Sequence, residues 1–176
     1  MAEIVQVAAP DVPADSHADV TPTALRNGFR SWPTGVAVIA GFEGGLPIGM
    51  TCNSLTSVSL EPPLIGVCVA NSSATWPQIR SSGRFCVSVL AHDQEQAGRD
   101  FAGQDADRFR NVRWQPRASG PALTDALVSF DCSIFSETPA GDHAVVIAFV
   151  HDIVVGRDGR QPLVFHGGRF ITIPTP

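Results

Sequence analysis

The stretch GMTCNSLTSVSLEPP, residues 49–63, decides how the rest of the chain is interpreted. It carries a line of Ser and Thr side chains, stops at two prolines and gives way to the apolar run LIGVCVA, residues 64–70. Side chains two apart on a strand share a face, so the alternation in SLTSVSL predicts a half-buried strand. The continuous apolar run after it predicts a strand that is buried on both faces.

On a continuous strand, Thr51 and Asn53 share one face with Leu55, and Ser54 and Thr56 share the other. Small polar side chains let a flat ring come close to the backbone and hydrogen-bond along its edge. The pattern is therefore typical of the wall of a binding cleft. It also fits an exposed sheet face, because Ser and Thr are good strand residues.

The segments around this stretch predict further strands that follow one another along the chain. Two β-rich runs flank the turn EGG, which indicates a hairpin over residues 35–52. Two long strands are predicted over 126–138 and 143–155, and a terminal hairpin over 162–173. Strands joined by short turns, with few helices between them, favour an antiparallel barrel or sandwich over a Rossmann sheet.

A few short helices complete the predicted fold. Thr21 before Pro22 is a helix start, and an apolar stripe follows at Leu25, Phe29 and Trp32.

A second short helix is predicted with Ser73 or Thr75 as its cap and with Trp76 and Ile79 facing inward. A third helix is predicted to start at Asp93.

Length and composition bound the class of protein. The 176 residues suggest one domain, 21–176, preceded by a disordered acidic tail, 1–20. The net charge of −5 argues against a nucleic-acid partner, since phosphate binding needs clustered cations. No apolar run approaches the length of a membrane span and no signal peptide is visible, so the expected location is the cytoplasm.

Several enzyme signatures are missing from the sequence. It has no dinucleotide-binding G-x-G-x-x-G after a strand, no P-loop, no G-x-S-x-G elbow and no H-E-x-x-H. Its four cysteines, at positions 52, 68, 86 and 132, form no C-x-x-C pair and are interpreted as buried, reduced thiols. No metal site is predicted.

The line of hydroxyls belongs to a larger resemblance. GMTCNSLTSVSLEPPLIGVCVANSS is similar to the G-x-T-x-x-S-x-x-S-V-S-x-x-P-P-L segment of the short-chain flavin reductases. FRSWPTGVAVIAG, SSGRFCVSVL, RDFAGQDADRF, GDHAVVIAFV and PLVFHGGRF resemble further motifs of that family, in the family's order. Each motif alone is weak, but together they run from about residue 22 to 173.

The resemblance implies a mainly β, Greek-key-like antiparallel split barrel that binds flavin, has short peripheral helices and is usually a homodimer. It implies an NAD(P)H:flavin oxidoreductase that uses NADH or NADPH to reduce FMN or FAD. The hydride passes from nicotinamide C4 to flavin N5, and the reduced flavin goes to a partner monooxygenase. Neither the choice of flavin nor that of nicotinamide can be predicted.

The resemblance also implies the site residues. His143 would be the catalytic residue beside the flavin, in contact with the nicotinamide cofactor, and Asp142 would orient its imidazole. Without the resemblance, both residues simply begin a strand. A further set of residues would line the flavin ring, ribityl chain or phosphate: Thr34, Thr51, Asn53, Ser54, Val69, Ala70, Asn71, Ser72, Ser73, Arg84, Phe85, Phe101 and Arg108.

Arg84 and Arg108 are the candidates for the phosphate, because a guanidinium matches phosphate geometry. Three residues depart from the family's usual pattern. Ser88 replaces the family's usual Asn, Phe165 replaces Tyr, and Phe149 occupies a position where the family often has Gly. The change from Gly to Phe149 would add bulk near the nicotinamide.

Three alternatives stay open at this point. The chain could be a non-catalytic flavin-binding or electron-carrier protein, or an assembly partner of an oxygenase. It could also be a flavin-dependent enzyme that acts on an organic substrate.

Overall fold

The computed structural model describes residues 20–103 and 107–173. Of the predicted tail, only Val20 falls within them. The helices in these residues are α1 (Pro22–Phe29), α2 (Trp76–Ser81) and α3 (Glu95–Ala102), the last preceded by a 3₁₀ turn at His92–Gln94.

The strands in the same residues are β1 (Thr34–Gly35), β2 (Ala37–Glu43), β3 (Leu46–Cys52), β4 (Thr56–Leu60), β5 (Pro63–Ala70), β6 (Arg84–Val89), β7 (Trp114–Pro116), β8 (Pro121–Leu123), β9 (Val128–Ala140), β10 (His143–Val155), β11 (Leu163–His166) and β12 (Arg169–Thr172).

The predicted mainly β, antiparallel fold is confirmed. Seven strands form one sheet in the order β3-β2-β6-β9-β10-β5-β4, and every pairing in it is antiparallel. A smaller sheet has the order β1-β11-β12, and β7 pairs with β8. The hairpins over 35–52 and 162–173 are present as predicted.

The large sheet curls round one of two apolar cores. Cys52 on β3 and Val67 on β5 lie near opposite ends of the strand order, yet they belong to the same buried cluster as Ile39, Val87 and Val146. Strands from both ends can share one core only if the sheet turns back on itself. The result is the split barrel that the sequence predicts.

A second apolar layer packs α3 and β11 against the other side of β2. Its buried members include Val38, Leu90, Phe101 and Leu163. Gly49 permits this close approach, because a Cβ there would lie 2.8 Å from Phe101 Cε1. This layer supports the strands behind the cleft described below.

Helix α1 begins as predicted but does not pack against the barrel. Thr21 Oγ1 accepts a hydrogen bond from the Ala24 amide at 3.1 Å, which caps the helix. The predicted apolar stripe is exposed: Leu25, Phe29 and Trp32 keep 54%, 64% and 67% of their accessible surface. An apolar helix face left open in one chain indicates a surface that other molecules contact.

The prediction that LIGVCVA is buried on both faces is wrong. Val67 and Val69 point into the core, but Cys68 between them is exposed. Cys52, Cys86 and Cys132 are buried free thiols, as predicted, and burial, with Asp131 nearby, raises the pKa of Cys86 to about 12. The exposed thiol of Cys68 is the exception among the four cysteines.

No helix within the described ranges is both long enough and apolar enough to cross a bilayer.

Candidate functional site

A groove of about 1110 Å³ lies between α1, the segment after β3, the start of β10 and the β11–β12 turn. It brings together four of the predicted site residues, which come from distant parts of the chain: Thr34, Asn53, Ser54 and His143. Ser54, after the end of β3, bonds Cys68 near the end of β5, and β5 ends beside the start of β10, where Ala70 pairs with His143. This groove is the candidate functional site.

The groove contains an unsatisfied polar atom. Thr34 Oγ1 is buried and has no hydrogen-bond partner among the described residues. Thr34 pairs with Phe165 across β1 and β11, so its backbone is held in place while its hydroxyl is left over. A buried hydroxyl without a partner costs free energy, and a ligand that hydrogen-bonds it would recover that cost.

The line of hydroxyls is interrupted within the groove. Strand β3 ends at Cys52 and β4 begins only at Thr56, so residues 53–55 leave the ladder. Asn53 and Ser54, predicted to face opposite ways on a continuous strand, therefore both line the groove. The strict two-residue alternation over this stretch is wrong, because the chain bends where pairing stops.

Ser54 closes the gap that this bend creates. Its hydroxyl accepts a hydrogen bond from the Cys68 amide at 2.8 Å and donates to the Cys68 carbonyl at 3.1 Å. Cys52 Sγ lies 3.1 Å from the Ser54 hydroxyl oxygen. Burial raises the pKa of the Cys52 thiol, so the sulfur keeps its proton and can donate to that oxygen. The side chain thus replaces a pair of backbone ladder bonds between the β3–β4 connection and β5.

His143 lies at the edge of the groove with a carboxylate beside it. Its Nδ1 lies 2.7 Å from Asp142 Oδ1, and its side chain is 45% exposed. The hydrogen bond to His143 lowers the pKa of Asp142, so this carboxylate is ionised at neutral pH and accepts from Nδ1. The second ring nitrogen, Nε2, is then left for a ligand.

The turn that carries His143 is held from β5. Ala70 pairs with His143, the Asn71 amide donates to the Asp142 carbonyl at 3.0 Å, and Asn71 Nδ2 donates to the Gly141 carbonyl at 3.2 Å. Ala70 and Asn71, both predicted to contact the flavin, therefore hold the backbone of the turn that carries the imidazole.

Arg108 and Ser73 form a second polar cluster beside β3. Arg108 Nη1 donates to the Gly49 carbonyl at 2.7 Å and to Thr75 Oγ1 at 2.9 Å, while its Nε is buried without a hydrogen-bond partner among the described residues. Ser73 Oγ accepts from the amide of Trp76, the first residue of α2, whose N-cap position is held by Thr75. Gly49 is four residues before Asn53, about 13 Å along an extended chain, so the cluster lies beyond one end of the groove.

The structure does not bring the other predicted residues into the groove. Val69, Phe85 and Phe101 are buried in the two apolar cores. The Thr51 hydroxyl donates to the Gly98 carbonyl in α3 at 2.7 Å. Ser72 and Arg84 are exposed outside the groove lining.

Phe149, expected to add bulk near the nicotinamide, is six residues beyond His143 on β10, about 20 Å along the strand. Its ring contacts His151, and it does not line the groove. The expected crowding is therefore not found.

Sequence reasoning missed the wall formed by α1 and the β11–β12 turn. Arg30 Nη2 donates to the Gly167 carbonyl and the Gly167 amide donates to the Arg30 carbonyl, both at 2.9 Å. These reciprocal bonds join the end of α1 to a turn more than a hundred residues later. Gly167 and Gly168, both at positive φ, were the only local signal, and they predicted a turn and nothing about its partner.

Comparisons with known proteins identify the family to which the chain is similar. Residues 29–174 match the family model described as flavin reductase like domain. The chain is 35% identical over 164 residues to the reductase subunit HsaB of a flavin-dependent monooxygenase from Rhodococcus jostii, covering 89% of this chain and 84% of that protein. It is 39% identical over 163 residues to a flavin reductase (NADPH) from Lentzea aerocolonigenes, covering 90% and 94%.

A solved structure that resembles this chain contains NAD and FAD fragments. The NADH:FAD oxidoreductase SgcE6 of Streptomyces globisporus, in complex with NAD and FAD fragments, superimposes with a TM-score of 0.81 at 35% identity. The match covers 86% of this chain and 92% of that one.

The role of Ser54 in closing the barrel can be measured directly. We expect Ser54→Ala to lower the free energy of unfolding by about 1 kcal/mol, because both backbone groups of Cys68 lose their partner and water replaces it only in part. Thr56→Val is the control, since its hydroxyl bonds only the adjacent Ser57 carbonyl among the described residues. Urea denaturation should show the loss for Ser54 alone, and equal effects of the two substitutions would contradict the role.

Proposed function

This chain belongs to the family of flavin reductase-like domains, and we propose that it is an NAD(P)H:flavin oxidoreductase that supplies reduced FMN or FAD to a partner monooxygenase. The observation that carries the proposal is the groove, which is lined both by Thr34, whose buried hydroxyl has no partner among the described residues, and by the exposed, oriented imidazole of His143. Both features suit the binding of a flavin together with a second ligand.

The residues of the groove fit a flavin. The isoalloxazine ring has donors and acceptors along its pyrimidine edge and an apolar dimethylbenzene end. Thr34 offers a hydroxyl that bonds no other described residue, and Asn53 offers an amide, for the polar edge; Leu55 and Phe165 offer apolar cover. Ser54 contributes through its position, because its hydroxyl is already committed to Cys68.

Arg108 is the proposed phosphate partner. Its guanidinium is fixed by Gly49 and Thr75, and its buried Nε is still without a hydrogen-bond acceptor among the described residues. A fixed guanidinium with N–H groups to spare loses little freedom when a phosphate binds. The flavin phosphate would thus lie near the N-terminal end of α2, beside Ser73.

The work of the protein in the reaction is to bind and orient. When bound, the flavin supplies the redox chemistry by taking a hydride at N5 from C4 of the nicotinamide. His143, with Asp142 accepting from Nδ1, presents Nε2 at the groove edge and holds the nicotinamide nucleotide against the ring. Holding two reactants in contact replaces a bimolecular encounter, so no protein nucleophile is required.

We further propose that the protein acts as a homodimer in the cytoplasm. The outer face of β4 and β9 exposes Val58, Leu60 and Phe135, which keep 47%, 89% and 61% of their surface. Val58 and Ile147 meet over Gly66, so this apolar face continues onto β10. Unpaired thiols suit a reducing compartment, and fractionation of the source cells would test the location.

The proposed activity predicts a dependence on added flavin. The purified protein should oxidise NADH or NADPH, followed by the loss of nicotinamide absorbance, only when FMN or FAD is present. Crossing both nicotinamides with both flavins identifies the preferred pair. Unchanged absorbance in all four mixtures would refute the proposal.

The proposed contact of His143 predicts a selective kinetic defect. His143→Ala should lower kcat/KM for the nicotinamide substrate about tenfold, the equivalent of one hydrogen bond, and leave the Kd for flavin nearly unchanged. His151→Ala is the matched control, because His151 bonds Ser133 outside the groove. A defect of the same size in both variants would show that His143 makes no such contact.

The proposed dimer predicts a substitution that separates the subunits. Leu60→Glu places a charge on the apolar face and should shift the sedimentation coefficient from dimer to monomer at micromolar concentration. Leu46→Glu is the control, since Leu46 is 70% exposed at the β2–β3 hairpin, away from that face. If both variants sediment like the unaltered protein, the dimer surface lies elsewhere.

A further inference from the structure

We propose that α1 and the segment that follows it bind the adenosine part of a dinucleotide, with Trp32 stacking on adenine and Arg26 pairing with a phosphate. The inference rests on the proposed function and adds a recognition element to it. Adenosine is common to FAD and NAD(P)H, so the proposal names the shared chemistry and leaves the source to experiment.

The position of α1 supports a ligand-binding role. Every residue from Thr21 to Pro33 is exposed, so the helix buries no side chain in the barrel. Its C-terminal end is nevertheless held by the reciprocal hydrogen bonds between Arg30 and Gly167. The helix is therefore a positioned wall whose side chains are free to contact a ligand.

The aromatic residues on this wall are placed to stack. Phe29 and Trp32 line the groove together with Thr34 and His143, and each keeps about two thirds of its surface exposed. A base stacked on an aromatic ring gains affinity whatever its hydrogen-bonding pattern, so adenine suits this position.

The charges on the same wall complement a phosphate. Arg26 and Arg30 are four residues apart on one helix, and both line the groove. Arg30 is committed to Gly167, whereas the Arg26 side chain makes no hydrogen bond to another described residue.

Trp32 follows the end of α1 and lies two residues before Thr34, while Arg26 lies on the helix itself. These three residues line the groove together with His143. A dinucleotide whose ring is held beside Thr34 and His143 would therefore fold back, with its phosphates at Arg26 and its adenine at Trp32.

The test compares ligands with and without adenosine. Calorimetric titration measures the Kd of FAD against FMN, and of NADPH against reduced nicotinamide mononucleotide, for the unaltered protein and Trp32→Ala. We expect about a tenfold weaker Kd for one adenosine-containing ligand and an unchanged Kd for its mononucleotide. The pair in which only the adenosine-containing ligand loses affinity shows whether the adenosine belongs to FAD or to NADPH. Trp32→Phe should restore most of the affinity.

Further variants separate stacking from protein association. Arg26→Gln should weaken the same ligand and reduce the dependence of its Kd on salt. Leu25→Ala, on the same helix but outside the groove lining, should leave all four values unchanged.

Three results for Trp32→Ala would each overturn the proposal. The first is an equal loss of affinity for the dinucleotide and its mononucleotide in each pair, and the second is no loss of affinity in either pair. The third is a change of oligomeric state with unchanged ligand binding. Titration does not depend on turnover, so these results stay distinct from a failure of the reductase assay.

Discussion

The hydrogen bonds between the Ser54 hydroxyl and the backbone of Cys68 are the constraint on which this site depends. A groove that admits a flat ring needs a place where the ladder opens, and an open ladder leaves amides and carbonyls without partners. Ser54 satisfies both groups of one residue while the chain on either side bends away. The barrel can therefore remain closed around its core and still present residues 53–55 to a ligand.

The same principle explains several other hydroxyls. The Thr51 hydroxyl bonds the carbonyl of Gly98 in α3, and the Ser73 hydroxyl accepts from the amide of Trp76, the first residue of α2. Ser88, where the family more often has Asn, accepts from the Leu123 amide. Short hydroxyl side chains reach backbone groups that strand pairing leaves over, so much of the polar pattern in this sequence is structural.

Local patterns predicted the elements well and the contacts between them poorly. The hairpins, the long strands and the cap at Thr21 depend on neighbouring residues, and each was visible in the sequence. Burial of Val69 and Phe85 depends on which way a strand twists once it has joined the barrel, and motif similarity carries no such information. The pairing of Arg30 with Gly167 joins remote segments, so no window of sequence contained it.

Helix α1 has a consequence for how such a protein can change over generations. Because no side chain of the helix is buried in the barrel, substitutions there leave the core intact and cost little folding stability. Selection can therefore test new residues at Arg26, Phe29 or Trp32 without first acquiring compensating changes elsewhere. A fold arranged in this way separates the evolution of ligand preference from the maintenance of its scaffold.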